Sequence, residues 1–476
     1  MDSRLHHGEG PPLSEVEKVL IIGSGGREHA LAWALSNSPS KPEIIGLPGN
    51  PGLAELGRCV AGNPSDNELV LEVVRREGID FTIVGPEQPL VGGLTDRLRA
   101  AGHDVFGPSR HAAALEGSKV FSKTLMRSHG IPTAAFEIFT KPQDAIAFLK
   151  RQSFPQVLKV DGLAAGKGVF VTKTIEEAKS VVERVLVQKE FGSAGNRLIV
   201  EECLKGEEMS LFVLTNGSDA VLLPTAQDYK RAEDKDAGPN TGGMGATAPV
   251  VSWSPALERR AMDEVILPTL EAMQGEGRPY TGLLYAGLMV DEGRPDVLEF
   301  NCRFGDPETQ VVLPILKGDL LQALSWASGR DTQTPDLELS DQWAATVVLT
   351  SKGYPGSYAK GFPISGISKA RELPGAFIFH AGTAWAEIGP TGRGESPFYP
   401  SPAPFGGAKS PEGSMNSNHR IVTTGGRVLN AVGRGDDLPS ALRRAYEAAS
   451  LVTFEGKTMR RDIGHRGIAA LKEGKI

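Results

Sequence analysis

A chain of 476 residues has room for about three domains, and 40% hydrophobic with 23% charged residues is the composition of an ordinary globular protein. A formal net charge of −7 argues against a bulk nucleic-acid binder while leaving room for local basic pockets. Three scattered cysteines, Cys59, Cys203 and Cys302, support neither a disulfide framework nor a thiolate metal site, and no apolar stretch approaches the roughly 20 residues of a membrane span.

Residues 1–17 are polar and read as a disordered leader. They have no apolar core of a signal peptide and little arginine for a transit peptide, which points to a cytoplasmic protein. Lys18–Ile22 is a short buried strand, Gly23–Gly26 the turn after it, and Arg27–Asn37 a helix. Further strands are predicted at 43–47, 81–84 and 103–106, with helices at 66–77 and 90–101. This alternation implies an α/β unit with a doubly wound parallel sheet over residues 18–118. A helix at 119–129 opens a second domain, 119–335, with strands at 157–160, 198–203, 209–216, 219–224, 283–290 and 296–301. A long polar loop is expected at 228–245 and a helix at 255–274. The block 336–476 has strand signals at 343–350, 376–380 and 420–432 and a closing helix at 438–449, the pattern of a small α+β domain. Residues 389–419, dominated by Gly, Pro, Ser and Asn without periodicity, read as a mobile insertion.

The run Val297–Gln310 carries the strongest chemical signal. Its first part is a strand with Leu298 and Phe300 on one face and Glu299 and Asn301 on the other. Two hard oxygen ligands two residues apart suit Mg²⁺, which takes few protein ligands and completes its shell with phosphate oxygens and water. Arg303 follows as a permanent cation beside those phosphates. Cys302, inside the run, is expected to pack in the core.

Other stretches look built for phosphate. Gly23-x-Gly25-Gly26 places backbone N–H groups at a helix N-terminus, a ready anion site. Glu28 stands where a dinucleotide fingerprint has its third glycine, which disfavours NAD and favours a sugar phosphate. The loops Pro48–Gly52, with Asn50, and Gly85–Glu87 follow later strands and would border the same crevice; each alone is an ordinary turn. Lys159 sits on a strand before a loop of small residues, Asp161–Gly168, from which Lys167 can reach a phosphate. Gly168 after Lys167 rules out a Walker A spacing. Glu201, Glu202, Glu207 and Glu208 flank a strand end that can offer backbone groups to an adenine edge and a carboxylate to ribose, although acidic clusters are usually solvated faces. The glycine-rich loop 227–245 is long enough to be functional, with Asp228 as an acceptor for an amine.

Together these stretches resemble the phosphoribosylamine–glycine ligase (glycinamide ribonucleotide synthetase) family of the ATP-grasp superfamily. The resemblance covers about 18–387 and 420–465. It is carried by Gly23–Ala30, Asp161–Gly168, Thr225–Arg231, Asn240–Gly245, Val297–Gln310, Thr424–Leu429 and Arg461–Gly464. It implies a Rossmann-like N-terminal domain, a central ATP-grasp domain with a mobile lid at about 135–205, and a small C-terminal domain. It implies ligation of glycine to 5-phosphoribosylamine with ATP through glycyl phosphate, in a monomeric enzyme with neither nucleic-acid nor membrane partners. Matched residue by residue, Glu299 and Asn301 are the ligands of Mg²⁺ or Mn²⁺. Lys119, Lys159, Gly166, Glu201, Glu202, Cys203 and Glu208 fall in the ATP site. Gly25, Gly26, Asn50, Glu87, Asp228 and Arg427 fall in the substrate pocket, and Arg303, Asp228 and Lys167 near the reacting centre. The 389–419 stretch is longer than the family usually carries. The strand Leu283–Val290 has no carboxylate for a second metal, leaving Asp291 as a weak candidate. Another ATP-grasp carboxylate–amine ligase and a non-catalytic nucleotide sensor are the alternatives.

Overall fold

The computed structural model describes residues 16–164, 168–388, 393–398 and 419–474. Leader residues 1–15, Gly166 and Lys167, and most of the 389–419 stretch lie outside the described residues.

Short apolar runs build a five-stranded parallel sheet in the order Arg58–Cys59, Glu43–Pro48, Lys18–Gly23, Phe81–Val84, Asp104–Phe106. Along Val19–Ile22 every side chain is fully buried, because both faces are covered. Val19 and Ile21 pack on helix Gly26–Asn37, whereas Leu20 and Ile22 pack on helices Asn67–Glu77 and Leu94–Ala100. The strand order reverses at Lys18–Gly23, so the turns after Gly23, Pro48 and Val84 meet at a topological switch point. The helix expected at 90–101 is broken in two, Glu87–Val91 and Leu94–Ala100. Gly93 between them has φ +84°, a left-handed conformation that a helix interior does not accept.

A separate antiparallel sheet, here called the outer sheet, has the order Phe136–Phe139, Leu198–Glu202, Gln156–Val160, Val169–Thr172. Helices Pro142–Leu149 and Ile175–Val182 cover it and give it a core of its own. The central sheet runs Ala220–Leu222, Glu207–Thr215, Gly282–Asp291, Arg294–Asn301, also antiparallel. The helix expected at 255–274 is Pro255–Ala261 and Leu267–Gly275 joined by a π turn at Met262–Ile266. Pro268 lacks the N–H that an uninterrupted helix needs there.

The 228–245 segment is not the structureless loop its composition implies. Gln227–Asp228 and Gly245–Ala248 enter the C-terminal sheet, ahead of Trp343–Ser351, Arg427–Gly435 and Ala376–His380. Arg231–Glu233 and Ala237–Asn240 pair with each other between them. The 420–432 signal divides as well. His419–Thr423 pairs with Thr383–Ile388, whereas Arg427–Gly435 pairs inside the C-terminal sheet. Within the described part of 389–419, Gly394–Phe398 is a strand beside Thr383–Ile388. Helix Leu438–Leu451, capped by Asp437, closes this domain. Leu313, Ile315 and helix Leu320–Ser328 pack against residues from the N-terminal, central and C-terminal sheets in one continuous core. No helix among the described residues is long and apolar enough to cross a membrane.

Candidate functional site

The switch-point edge of the N-terminal sheet, the outer sheet and the end of the central sheet enclose one cleft of about 880 Å³, within the size range of small-molecule sites. Its charged end is organised by a β-bulge. On the paired strands, Glu299 lies opposite Gly287 and Val297 opposite Leu288, so Leu298 is the extra residue. The bulge sends Val297 and Phe300 into the core and turns both Leu298 and Glu299 to the cleft. The expectation that Leu298 shares the face of Phe300 is therefore corrected, while Glu299 and Asn301 do share the cleft.

Among the described residues the Glu299 carboxylate takes no hydrogen bond or ion pair. Burial pushes its pKa up, but the fields of Lys230, Lys119, Lys159 and Arg303 outweigh burial and hold it below the usual value. The Asn301 Oδ1 accepts from Arg303 Nη2 at 3.1 Å. One ionised carboxylate and one amide oxygen make a hard donor set that fits Mg²⁺ with phosphates completing the shell. No group of three or more His, Cys, Asp or Glu placed for a metal occurs among the described residues. Asp291 sits at the far hairpin end, exposed and outside the cleft lining.

Three lysines face these ligands. Glu201 Oε2 binds Lys159 at 2.8 Å and Lys123 at 3.1 Å, with all three side chains at most 7% exposed. Lys159 also donates to the Leu298 carbonyl at 3.0 Å. Glu201, expected in the ATP site, lines the cleft; its Oε2 is shared by the two ammonium groups, while Oε1 is buried without a hydrogen-bond partner among the described residues. Lys123 escaped the sequence reading, although it stands one helical turn after Lys119 on helix Lys119–Ser128. Burial, reinforced by the charge of Lys159, lowers its pKa to about 8. Lys119 donates to the Gly162 carbonyl at 3.1 Å, at the base of the small-residue loop.

Arg303 is held from two sides. Its guanidinium meets Glu116 at 3.1 Å and Glu87 at 3.4 Å. Glu116, a second residue missed in the sequence, also accepts from the Cys302 N–H at 2.7 Å. Burial raises Glu116, opposed by Arg303. In Glu87 burial also pushes upward, but Arg303 and Arg27 prevail and lower it. Cys302 itself is 2% exposed and packs in the core as expected.

Asp228 is 5% exposed, 4.0 Å from Lys230. Its carboxyl is pushed up to about 8 by burial, with Lys230 opposing and Glu208 and Glu308 adding to the rise. Lys230 pairs with Glu208. Arg427 donates to the carbonyls of Gly242 and Asp306, the latter at 2.7 Å, and meets the Asp306 carboxylate at 3.4 Å. At the other end the cleft is apolar. Val157, Val169 and Val171 of the outer sheet face Met289 and Leu298 of the central one, with Glu202 and Cys203 at the rim.

Gly25, Gly26 and Asn50 do not line the cleft. The Gly25 N–H donates to Glu28 Oε2 at 2.6 Å, and Arg27 Nε pairs with Glu28 Oε1 at 2.6 Å. The anion at this helix N-terminus is the protein's own carboxylate. Gly85 is required beside it, since a Cβ there would stand 2.1 Å from Glu28 Oε1. A Cβ on Gly26 would stand 2.4 Å from the Asn430 amide nitrogen. Asn50 is fully buried and donates to the carbonyls of Ser24 at 2.9 Å and His380 at 3.0 Å. These residues tie the N-terminal sheet edge to the C-terminal domain.

Comparison with known proteins agrees with this architecture. Residues 17–116, 117–309 and 405–466 match, in turn, the N domain, the ATP-grasp (A) domain and the C domain of phosphoribosylglycinamide synthetase. A phosphoribosylamine–glycine ligase of Ralstonia nicotianae is 44% identical over 452 residues, 95% of this chain and 99% of the relative. The trifunctional purine biosynthetic protein adenosine-3 of Homo sapiens is 44% identical over 460 residues, 96% of this chain, and the chain spans 42% of that relative. The crystal structure of a phosphoribosylamine–glycine ligase from Thermotoga maritima matches with a TM-score of 0.76 and 34% identity, covering 94% of this chain and 100% of that one. Three consecutive domain matches, similarity along nearly the whole chain and a shared α/β fold have one reading: the chain belongs to the phosphoribosylamine–glycine ligase family of ATP-grasp enzymes.

Proposed function

We propose that the protein ligates glycine to 5-phosphoribosylamine with ATP, giving glycinamide ribonucleotide, ADP and phosphate, a step of de novo purine biosynthesis. The observation that carries the reading is the convergence of Lys119, Lys123, Lys159, Lys230 and Arg303 around Glu299 and Asn301 in one cleft. A free carboxylate is a poor acyl donor. Attack of the glycine carboxylate on the γ-phosphorus breaks the bond to ADP and forms glycyl phosphate. The amine of phosphoribosylamine then attacks the acyl carbon, phosphate leaves with the bonding pair, and the nitrogen loses a proton.

Each step needs positioning and charge stabilisation more than covalent help from the protein. The apolar end suits adenine, with backbone groups of 202–204 at its edge. Lys119 and Lys159 reach the phosphates, Lys159 being aimed by Glu201 and the Leu298 carbonyl. Glu299 and Asn301 would hold Mg²⁺ or Mn²⁺, which when bound neutralises the β- and γ-phosphate oxygens. Arg303, aimed by Glu116 and Glu87, faces the developing acyl phosphate. Asp228, whose carboxyl is pushed up to about 8, is placed in its ionised form to take the proton from the attacking amine. Arg427, Asp306 and Gly242 shape the side that takes the sugar phosphate. A monomeric chain in the cytoplasm belongs to the same proposal.

ADP release measured with ATP, glycine and fresh phosphoribosylamine, each omitted in turn, tests it. Turnover is expected only with all three present, and turnover independent of phosphoribosylamine would sink the assignment. Glu299→Ala is expected to cut kcat by on the order of 10²–10³ with an unchanged circular dichroism spectrum.

A further inference from the structure

A second cavity, of about 440 Å³, lies where helix Gly26–Asn37, strands Ala376–His380 and Arg427–Gly435 and the segment 313–320 meet. Its volume is that of a small-molecule site. The helix reaches the cleft at Arg27 and this cavity at Trp33 and Asn37, about 9 to 15 Å further along its axis. Leu313 and Leu320 are buried at the cavity, whereas Leu316, Trp33 and Phe377 are only half-buried. Trp33 meets Phe377 edge to face, with ring centroids 4.9 Å apart and planes at 68°. Two large rings thus keep apolar area open on one concave wall. The strand pairing adds a charge to that wall. Phe377 lies opposite Val432, so Arg434, two residues on, shares its face. The Arg434 guanidinium stands over the Phe377 ring, 5.6 Å from its centroid. Its one hydrogen bond among the described residues runs from Nη1 to the Pro314 carbonyl at 3.1 Å. That leaves its other N–H groups without a protein partner. No ion pair engages it among the described residues, and none of the described residues lining the cavity is acidic.

An arginine over an aromatic ring, with donors to spare and no carboxylate beside it, is complementary to an anion carried on a planar apolar body. The body would lie against Trp33, Phe377 and Leu316, and a carboxylate would take the guanidinium fork through two parallel hydrogen bonds. A single cation calls for a single negative charge, and a phosphate ester would bring more charge than Arg434 offsets. We propose that this cavity is a second ligand site, separate from the cleft, for an aromatic monocarboxylate. Its walls come from the helix that covers the N-terminal sheet and from two strands of the C-terminal sheet. An occupant therefore bridges the two domains and stabilises the folded chain by mass action.

2-Naphthoate and 2-naphthamide share a ring system and differ in charge. Titration calorimetry of both on the full chain, with and without saturating ADP and Mg²⁺, tests the site. Wild type is expected to bind one equivalent of naphthoate at least about tenfold more tightly than naphthamide, with the affinity unchanged by ADP. Arg434→Gln should abolish the preference for the acid, and Trp33→Leu should weaken both compounds. Neither residue lines the cleft, so both variants should bind ADP as wild type does, and either carries the test if the other does not fold. Four results overturn the proposal: no binding by wild type, equal binding of the two compounds, displacement of naphthoate by ADP, or unaltered binding in a folded variant. Naphthoate binding that appears only as a dimer of the chain dissociates on dilution would mean that a second copy covers the cavity, and overturns it too.

Discussion

Glu201 places one carboxylate oxygen between two lysines, all out of water. Breaking a buried charge cluster by removing one member leaves uncompensated charge, which typically destabilises by 3–5 kcal/mol. Glu201→Ala is therefore expected to lower stability by about 3–5 kcal/mol, measured by urea denaturation, and to weaken ATP binding because Lys159 loses its aim. A stability change below about 1 kcal/mol would show that the cluster is hydrated. Asp228 has the opposite character. Its carboxyl titrates near 3.8 when unperturbed and near 8 in the fold. The folded state therefore holds the proton more tightly, and stability is lost as pH rises from about 4 towards 8. Asp228→Asn removes this loss, so its Tm should gain on wild type progressively over that range. A constant Tm difference would contradict the shift. Glu299, Asn301 and Arg303, which the structure brings to one cleft, could be singled out in the sequence because their residue types and spacing form a local pattern. Lys123 and Glu116 could not, because burial and partners from remote segments give them their importance.

Two elements show what periodicity misses. The strand ending at Asn301 alternates by pattern, yet the bulge at Leu298 shifts its phase and brings Leu298 and Glu299 to the same cleft. A bulge arises from pairing with a partner strand, here Gly282–Asp291, and leaves no mark in a single-strand pattern. The 227–248 segment looks like a loop because its strands are two and four residues long; they hold only because Trp343–Ser351 supplies the ladder. A contact between elements joins helix Gly26–Asn37 to strand Ala376–His380. His29 Nδ1 accepts from the His380 N–H at 2.8 Å, and burial keeps both imidazoles well below their usual pKa. Both are neutral in the fold and take protons on unfolding in acid. Stability from this contact is thus complete above about pH 6.5 and falls as pH drops. Thermal melts should show a Tm decline below about pH 6.5 that is shallower in His29→Gln. Equal slopes would place the acid sensitivity elsewhere.

At the scale of the molecule, the N-terminal, central and C-terminal sheets share one core through helix Leu320–Ser328, whereas the outer sheet has its own. Among the described residues, a small apolar cluster of Val120, Phe136 and Ile199 ties it to the rest, beside the ion pairs and the hydrogen bonds of Asp161 with Ser118 and Val120, of Lys119 with Gly162 and of Lys159 with Leu298. A body with its own core and a narrow apolar tie is suited to move as a unit. Residues 136–202 are therefore expected to act as a lid that closes on ATP and keeps water from a hydrolysable acyl phosphate. Limited proteolysis should cut within 161–169 more slowly with ATP and Mg²⁺ than without, and equal rates would count against closure. Parallel-sheet alternation in 18–118, the long motif matches and the metal-ligand spacing all follow from local pattern, so the fold class, the family and the Glu299–Asn301 pair could be read from residues in order. Only the folded chain shows that Glu28 accepts from the Gly25 N–H of the first turn, that Asn50 bonds across to the His380 carbonyl, and that Glu201 holds two lysines. Those outcomes depend on which distant groups become neighbours in the absence of water. Burial and partner geometry, which are not properties of a residue's place along the chain, set them.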